Sequence, residues 1–484
     1  DAELLQNGRY PRFYDIVVRL AQEILEAKQT ARPRTPWPPP LPATLNFDDQ
    51  LIEAYLDPSY YPLLTRGDTT RLALNPFVTE WASRDGRWYG AKWQQTAMQA
   101  VVGLLDDPRG ARQIPLVVNF ARGHAVLFGA SGWGKTTFLR SLVVSLASTH
   151  SPAELHVHVL GLGGRGLEIL EELPHVGTVI MPDTGGYQER VQQLWRELKD
   201  LVDHRKHLFS EAGVETLPEY NEAHPESIKP AMLVVIDNIA EYIDTFGNTP
   251  QTDTADDLLE AFVDLARQGR SYGIHFIVTA SRLNVLSSKL YSLFTERLTL
   301  RLANADEYGT IVGSVIGEIE EVPGRGVTRV GRQPLSFQVA LVPRTKDATG
   351  QLMTEAASIR TIGQAMHVAT NDLEMYPTPF RINALPESVS YRELVAREFG
   401  VSLDELTFHD ELAAVVRQRW DEQRRKDNAK WLRVPLGVIA GQRVRTLNFE
   451  AIGDGVHAMI AGGTGSGKSE LLMTMIIGLA LSYP

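Results

Sequence analysis

Apolar positions along this chain change period several times, and the changes divide it. Phe13, Ile16, Val17, Leu20, Ile24 and Leu25 recur near i, i+3, i+4 and i+7, which predicts one amphipathic helix over 11–30. The prolines from Pro33 to Pro42 then block helix and central strand, so this stretch is expected to be a stiff, extended linker rather than a docking motif. Residues 43–124 mix short signals broken by Pro58, Pro62 and Pro76. An aromatic group there (Trp81, Trp88, Tyr89, Trp93) reads as packing rather than a ligand platform. Pro115–Val118 reads as a strand.

Beyond it, short continuous apolar runs alternate with helical patterns. Ala125–Phe128, Leu155–Leu160, Met232–Ile236 and Ile274–Ala280 read as buried strands. Phe138–Ala147, 186–212 and 254–270 read as helices. Residues 284–294 and 296–302 then read as helix and strand, and Val327–Val342 as a closing hairpin. Strands alternating with helices predict an α/β fold, a mostly parallel sheet flanked by helices. Residues 345–430 carry charges of both signs on polar helices and read as a small, mainly helical connector. Four segments are therefore expected: 1–42, a helix and linker; 43–345, the main α/β domain; 346–430, the connector; and 431–484, the start of another α/β domain.

Composition narrows the chemistry. The chain has no cysteine, so disulfides, zinc–thiolate sites and thiol catalysis are excluded. A net charge of −11 argues against a nucleic-acid backbone as the main partner. No apolar run reaches the roughly 18–20 residues of a membrane span. The longest, around Leu471–Leu481, reads as a buried helix, and no signal peptide is visible. A start at Asp1 and a stop at Pro484 suggest a piece of a longer polypeptide. His156 and His158 alternate along one predicted strand, and strand packing is favoured over metal binding. Gly161–Gly166 reads as a tight strand-to-helix turn rather than a second nucleotide fingerprint.

The strongest chemical signal is Gly129-Ala130-Ser131-Gly132-Trp133-Gly134-Lys135-Thr136-Thr137, which fits G-x-x-x-x-G-K-[ST] between a predicted strand and helix. Phosphate oxygens need many donors at close range. Glycines let backbone N–H groups line the anion, and the helix N-terminus adds partial positive charge. Lys135 is expected to reach the β- and γ-phosphates of ATP, and the Thr136 hydroxyl to ligate Mg²⁺. Asp237, directly after Met232–Ile236, is expected to hold the Mg²⁺ water shell. The next position usually carries a glutamate that polarises the attacking water, but here it is Asn238, whose amide cannot accept that proton. Glu241, one turn on, is a possible substitute. The reading is a site that binds nucleotide and hydrolyses it slowly or not at all. Arg267, Arg270, Arg282 and Arg297 are candidates to complete a neighbouring subunit's site in trans.

A second complete match stands at Gly462-Gly463-Thr464-Gly465-Ser466-Gly467-Lys468-Ser469, after the predicted strand Ala458–Ala461. Gly462, Gly465, Gly467 and Lys468 would hold phosphate there and Ser469 would hold Mg²⁺. No aspartate strand follows within the chain.

Several further stretches resemble the FtsK/SpoIIIE-type ATPases, and among them the EccC/EssC-like motors of type VII (ESX) secretion. They are Arg433–Val438 with His457–Leu472, Leu173–Gly177, Leu208–Val214, Gly269–His275 and Pro323–Gly326. The resemblance covers most of 100–345 and 431–484. It implies tandem RecA-like domains, ATP with Mg²⁺, and a motor at the cytoplasmic face of the membrane. Implied partners are small helical secreted proteins, membrane subunits of the secretion complex, and further copies in a ring such as a hexamer. In that family some domains are degenerate, and Asn238 places 43–345 among them, whereas the second P-loop resembles the competent class. The order departs from the family's usual one, in which the competent domain comes first. A double-stranded DNA translocase and a regulatory nucleotide-binding scaffold are the alternatives.

Overall fold

The computed structural model describes residues 12–28, 38–46, 98–183, 186–247, 258–313, 319–342, 349–372, 378–383, 388–402, 409–425, 432–439, 443–449 and 454–484. The aromatic group Trp81–Trp93 and most of the proline-rich stretch lie outside these residues.

One sheet organises residues 38–342. Its strands are β1 (Leu45–Asn46), β2 (Gln99–Asp107), β3 (Arg112–Asn119), β4 (His124–Phe128), β5 (Leu155–Gly161), β6 (Val176–Ile180), β7 (Ala231–Asp237), β8 (Ile274–Ala280), β9 (Phe294–Leu300), β10 (Arg325–Val330) and β11 (Gln333–Leu341). The spatial order is β3-β2-β11-β10-β9-β4-β8-β7-β5-β6, with β1 beside β11. From β9 to β6 all neighbours are parallel, as the apolar runs predict. From β3 to β9 they are antiparallel. The predicted closing hairpin is β10–β11. It lies inside the sheet, joining the parallel half to the β2–β3 hairpin, and not at an edge.

Every residue of β4, β5, β7 and β8 is buried, because helices cover both faces. The helix Lys135–Thr149 lies against one face and is buried from Phe138 to Leu139 and from Ser141 to Thr149. Ser141, Ser148 and Thr149 tolerate burial there because each finds an acceptor. Ser148 and Thr149 donate back to Val144 O and Ser145 O, and Ser141 donates to Ala340 O of β11. On the other face, Tyr187–Ala212 packs Trp195 among Tyr242, Phe262 and Phe276. The predicted helix over 284–294 is instead a 3₁₀ turn, Leu283–Val285, and a single turn, Ser288–Tyr291. The glycine turn after β5 leads into a 3₁₀ helix, Arg165–Glu172.

Residues expected to form one connector pack in two places. The helix Glu355–Asp372 buries Ile359, Ile362 and Met366 in the core of the first unit. Gly363 is needed there, since a Cβ would sit 2.1 Å from Glu172 O. Residues 380–382 then run beside β6, where Thr178 bonds Phe380 O and Ile382 N, and Arg190 donates to Ile382 O. The ring of His158 stacks on Phe380 with centroids 4.2 Å apart. By contrast, Tyr391–Phe399 and His409–Arg425 pack with the last segment: Val395 and Ala396 meet Leu412, Val415 and Leu481, and Trp420 Nε1 donates to Ala480 O. That segment contains a two-stranded ladder, β12 (Arg433–Ile439) and β13 (Arg443–Asn448), and the helix Lys468–Ser482.

Five of the six histidines buried among the described residues give the fold a pH dependence. Burial lowers His124 and His150 to about 4, and His158, His175 and His275 to about 3. In the unfolded chain the same groups titrate near 6.5. Below that pH the unfolded state binds more protons, so stability present above pH 6.5 is lost as pH falls toward 4. The slope is about 1.4 kcal/mol per pH unit for each histidine. The urea midpoint is therefore expected to drop steeply between pH 6.5 and 4. A flat midpoint across that window would contradict neutral burial.

Candidate nucleotide site

The loop 129–134 connects β4 to the helix Lys135–Thr149 at the carboxyl end of the parallel strands, where α/β sheets place their ligands. Its first residues are pinned to neighbouring strands: Gly129 N donates to Ala280 O and Ala130 N to Arg301 O. Gly132 (φ +82°) and Gly134 (φ +101°) adopt left-handed backbone that side chains disfavour. Ser131 is exposed at the loop's tip. Trp133 O accepts from Gly324 N at 3.2 Å, and the Arg301 guanidinium lies 4.8 Å from the Trp133 ring centroid, which ties the loop to the turn before β10.

Lys135 folds back over the loop and donates to Gly129 O (2.7 Å) and Ala130 O (3.0 Å). Burial lowers its pKa, and the Asp237 carboxylate opposes that shift. Thr136 Oγ1 donates to Asp237 Oδ2 at 3.0 Å. The two residues expected to share the metal thus meet across 101 positions of sequence. Asp237 is 2% exposed at the end of β7. Its other oxygen accepts from Thr279 Oγ1 at 2.6 Å, and the same hydroxyl accepts from Asn238 N at 2.8 Å. Thr279 was not among the residues singled out from sequence. A lone hydroxyl in the apolar run Ile274–Ala280 was its signal.

The residues fit Mg²⁺ bound to a nucleotide. A hydroxyl and a carboxylate, both hard oxygen donors, converge beside a lysine that can leave loop carbonyls for phosphate. Thr136 and Asp237 would hold the ion, which would supply charge neutralisation at the phosphates. Gly163 keeps the space beside Asp237 open, since a Cβ there would sit 2.8 Å from Oδ2. Gly163→Ala is therefore expected to displace the carboxylate and weaken Mg²⁺-dependent ATP binding about tenfold, with Mg²⁺-free binding little changed. Titration calorimetry with and without Mg²⁺ checks this, and equal loss in both would refute it.

Asn238 is half-buried with φ +69° and starts the helix Ile239–Phe246. Glu241 lies exposed in that helix's first turn. Thr137 lies one residue beyond the metal-side threonine and receives a long contact from Arg140 at 3.5 Å. Of the four arginine candidates, Arg297 is used within the fold. It lies 3.8 Å from the Tyr291 ring centroid and donates to Phe294 O and Tyr291 O. Arg267 pairs with Asp264, while Arg270 and Arg282 are exposed.

The second loop repeats the first in shape. Gly465 and Gly467 have φ of +81° and +85°, and Lys468 donates to Gly462 O and Gly463 O. Ser469 is exposed, and among the described residues no carboxylate bonds it. The expected strand Ala458–Ala461 forms no ladder, because no described strand lies alongside. Nor is the helix Lys468–Ser482 buried as the sequence suggested: Leu472, Met473, Ile476 and Ile477 are exposed. Among the described residues, no helix is long and apolar enough to cross a membrane.

A parallel α/β core carrying a glycine loop, lysine, threonine and strand-end aspartate defines a P-loop nucleotide-binding protein. The FtsK/SpoIIIE family model matches residues 87–332 and 415–484, and the chain belongs to that family. Among curated proteins, it is 27% identical over 373 residues to the ESX secretion system protein YukB of Bacillus subtilis, covering 77% of this chain and 22% of that protein. It is 28% identical over 389 residues to the ESX-1 secretion system protein EccCb1 of Mycolicibacterium smegmatis, covering 78% and 57%. A solved structure of Thermomonospora curvata EccC, ATPases 2 and 3 in complex with a signal sequence peptide, shares the fold. Its TM-score is 0.58 at 24% identity, with 80% of this chain and 61% of that one covered. The chain thus spans from about a fifth to just over half the length of these curated relatives.

Proposed function

We propose that this chain is the ATP-binding segment of a multi-domain motor that drives protein export by type VII secretion. The observation that carries the reading is the Lys135–Thr136–Asp237 cluster, set in a chain whose relatives are named as ESX secretion proteins. In this reading the 43–345 unit holds Mg²⁺–ATP and hydrolyses it slowly, because Asn238 stands where a carboxylate base is needed. The unit beginning near 431 supplies a second nucleotide site.

The motor works at the cytoplasmic face of the membrane, with small helical secreted proteins as cargo and membrane subunits as partners. The signal-peptide complex formed by the Thermomonospora relative supports that class of cargo. A ring of copies places Arg270 or Arg282 toward a neighbour's phosphates. Asn238 also favours a second reading, in which ATP at this site holds domains together without being consumed.

The test pairs two assays on the full-length protein: capture of small helix-hairpin secretion substrates, and ATP turnover with and without double-stranded DNA. Substrate capture with DNA-independent turnover is expected. DNA-stimulated turnover without capture would make the protein a DNA translocase instead.

A further inference from the structure

The glycine turn after β5 abuts both residues expected to hold the metal. A Cβ on Gly163 would sit 2.8 Å from Asp237 Oδ2, and one on Gly166 would sit 2.7 Å from Thr136 Cγ2. Arg165 lies between these two contacts and is the one charged residue of Gly161–Gly166. Its Cα is one residue from Gly166 and two from Gly163, hence within about 4 Å and 8 Å of theirs. Residues 163–166 are all exposed, so the turn borders open space beside the metal-side pair and not packed core.

Arg165 is held away from that pair only by a surface contact. Its guanidinium donates to Asp183 Oδ2 from Nε at 2.8 Å and from Nη2 at 2.5 Å. Asp183 follows β6, one strand further from the nucleotide loop than β5. The two side chains are 67% and 51% exposed. Ion pairs this open contribute little, because water and salt screen them and both side chains give up rotamer freedom. Glu168, the other carboxylate acting on this guanidinium, is exposed as well.

On the reading of 129–137 as a triphosphate cradle, we propose that Arg165 leaves Asp183 to bind the γ-phosphate, and so makes the first site discriminate ATP from ADP. A nucleotide-bound Mg²⁺ bridges β- and γ-oxygens, so the Thr136–Asp237 side of the cradle is its γ side. The turn that carries Arg165 touches that side at both residues. A guanidinium meets a terminal phosphate with two parallel N–H bonds, and the phosphate's higher charge outcompetes one screened carboxylate. ADP presents no oxygen at this place. Lys135 and the loop N–H groups serve both nucleotides, so a site that holds ATP needs a contact of this kind to prefer it. With Asn238 in place of a carboxylate base, the added cation stabilises bound ATP without supplying what hydrolysis lacks.

Calorimetry tests this on the full chain carrying Lys468→Ala, so that only the first site contributes. The ligands are ADP and the β,γ-imido analogue of ATP, which is not split, each with Mg²⁺. Arg165→Ala is expected to weaken the analogue about tenfold while leaving ADP within about twofold. Arg165→Lys keeps the charge without the paired bonds and should fall between. Asp183→Asn separates a phosphate contact from a merely structural ion pair. It frees the guanidinium, so the analogue should bind at least as tightly as to the parent. Arg165 is exposed, and circular dichroism confirms that the variants fold. Unchanged analogue affinity in Arg165→Ala, equal loss of both nucleotides, or the same loss in Asp183→Asn would overturn the assignment. Lys135→Ala reports on the cradle separately: if it leaves both nucleotides bound as before, the nucleotide-site reading itself fails.

Discussion

Asn238→Glu is expected to raise single-turnover ATP hydrolysis at the first site by about 10²–10⁴, the usual worth of a positioned general base. The backbone there is already set for the role. Asn238 follows the strand that carries Asp237, and its N–H is anchored on Thr279 Oγ1 at 2.8 Å. An amide in this place orients water but cannot take its proton. The gain has a cost, because Asn238 has φ +69°, a conformation asparagine tolerates better than glutamate. The variant should lose about 1 kcal/mol of stability, seen as a lower melting temperature. A rate unchanged by the substitution would mean that position 238 does not face the attacking water.

Lys135→Ala should weaken ATP binding by about 10- to 100-fold, the loss of charge-assisted bonds worth about 1.5–3 kcal/mol. In the present conformation Lys135 is held by Gly129 O and Ala130 O. Phosphate would exchange those neutral acceptors for charged ones, in a half-buried place where burial already disfavours an unpaired ammonium. Binding is not abolished, because loop N–H groups and the helix N-terminus remain. The loop keeps its shape in the variant, since its glycine torsions and its bonds to Ala280 and Arg301 do not involve the lysine side chain. Calorimetry showing unchanged affinity would remove Lys135 from the site.

Much of this was legible because parallel strands covered on both faces must be apolar throughout. Ala125–Phe128, Met232–Ile236 and Ile274–Ala280 announced the core, and Gly129–Thr137 and Asp237 announced the site from local spacing alone. What lay hidden depends on contacts distant in sequence. The strand β2 buries its six residues Ala100–Leu105 only because β11 and β3 flank it. Its own stretch carried no clear period. The hairpin β10–β11 looked like an ending, and its place inside the sheet came from pairing with β9 and β2. Polar helices between 346 and 430 could not reveal which core each joins, because a single face of each decides it. Thr279 was one hydroxyl in an apolar run, and its meaning appeared only with Asp237 at 2.6 Å. Arg325 sat in a recognised Pro-Gly-Arg-Gly stretch, yet its carbonyl partners Leu41 and Pro42 lie 284 and 283 residues away.

In the proposed mechanism the first P-loop holds ATP and consumes it slowly. Rapid-quench single turnover tests this most directly, on the Lys468→Ala chain with Mg²⁺ and sub-stoichiometric ATP. Nucleotide recovered from the protein after minutes is expected to be still mostly ATP. Conversion to ADP at a rate typical of enzymes, roughly 10 s⁻¹, and lost in Asp237→Ala, would contradict it.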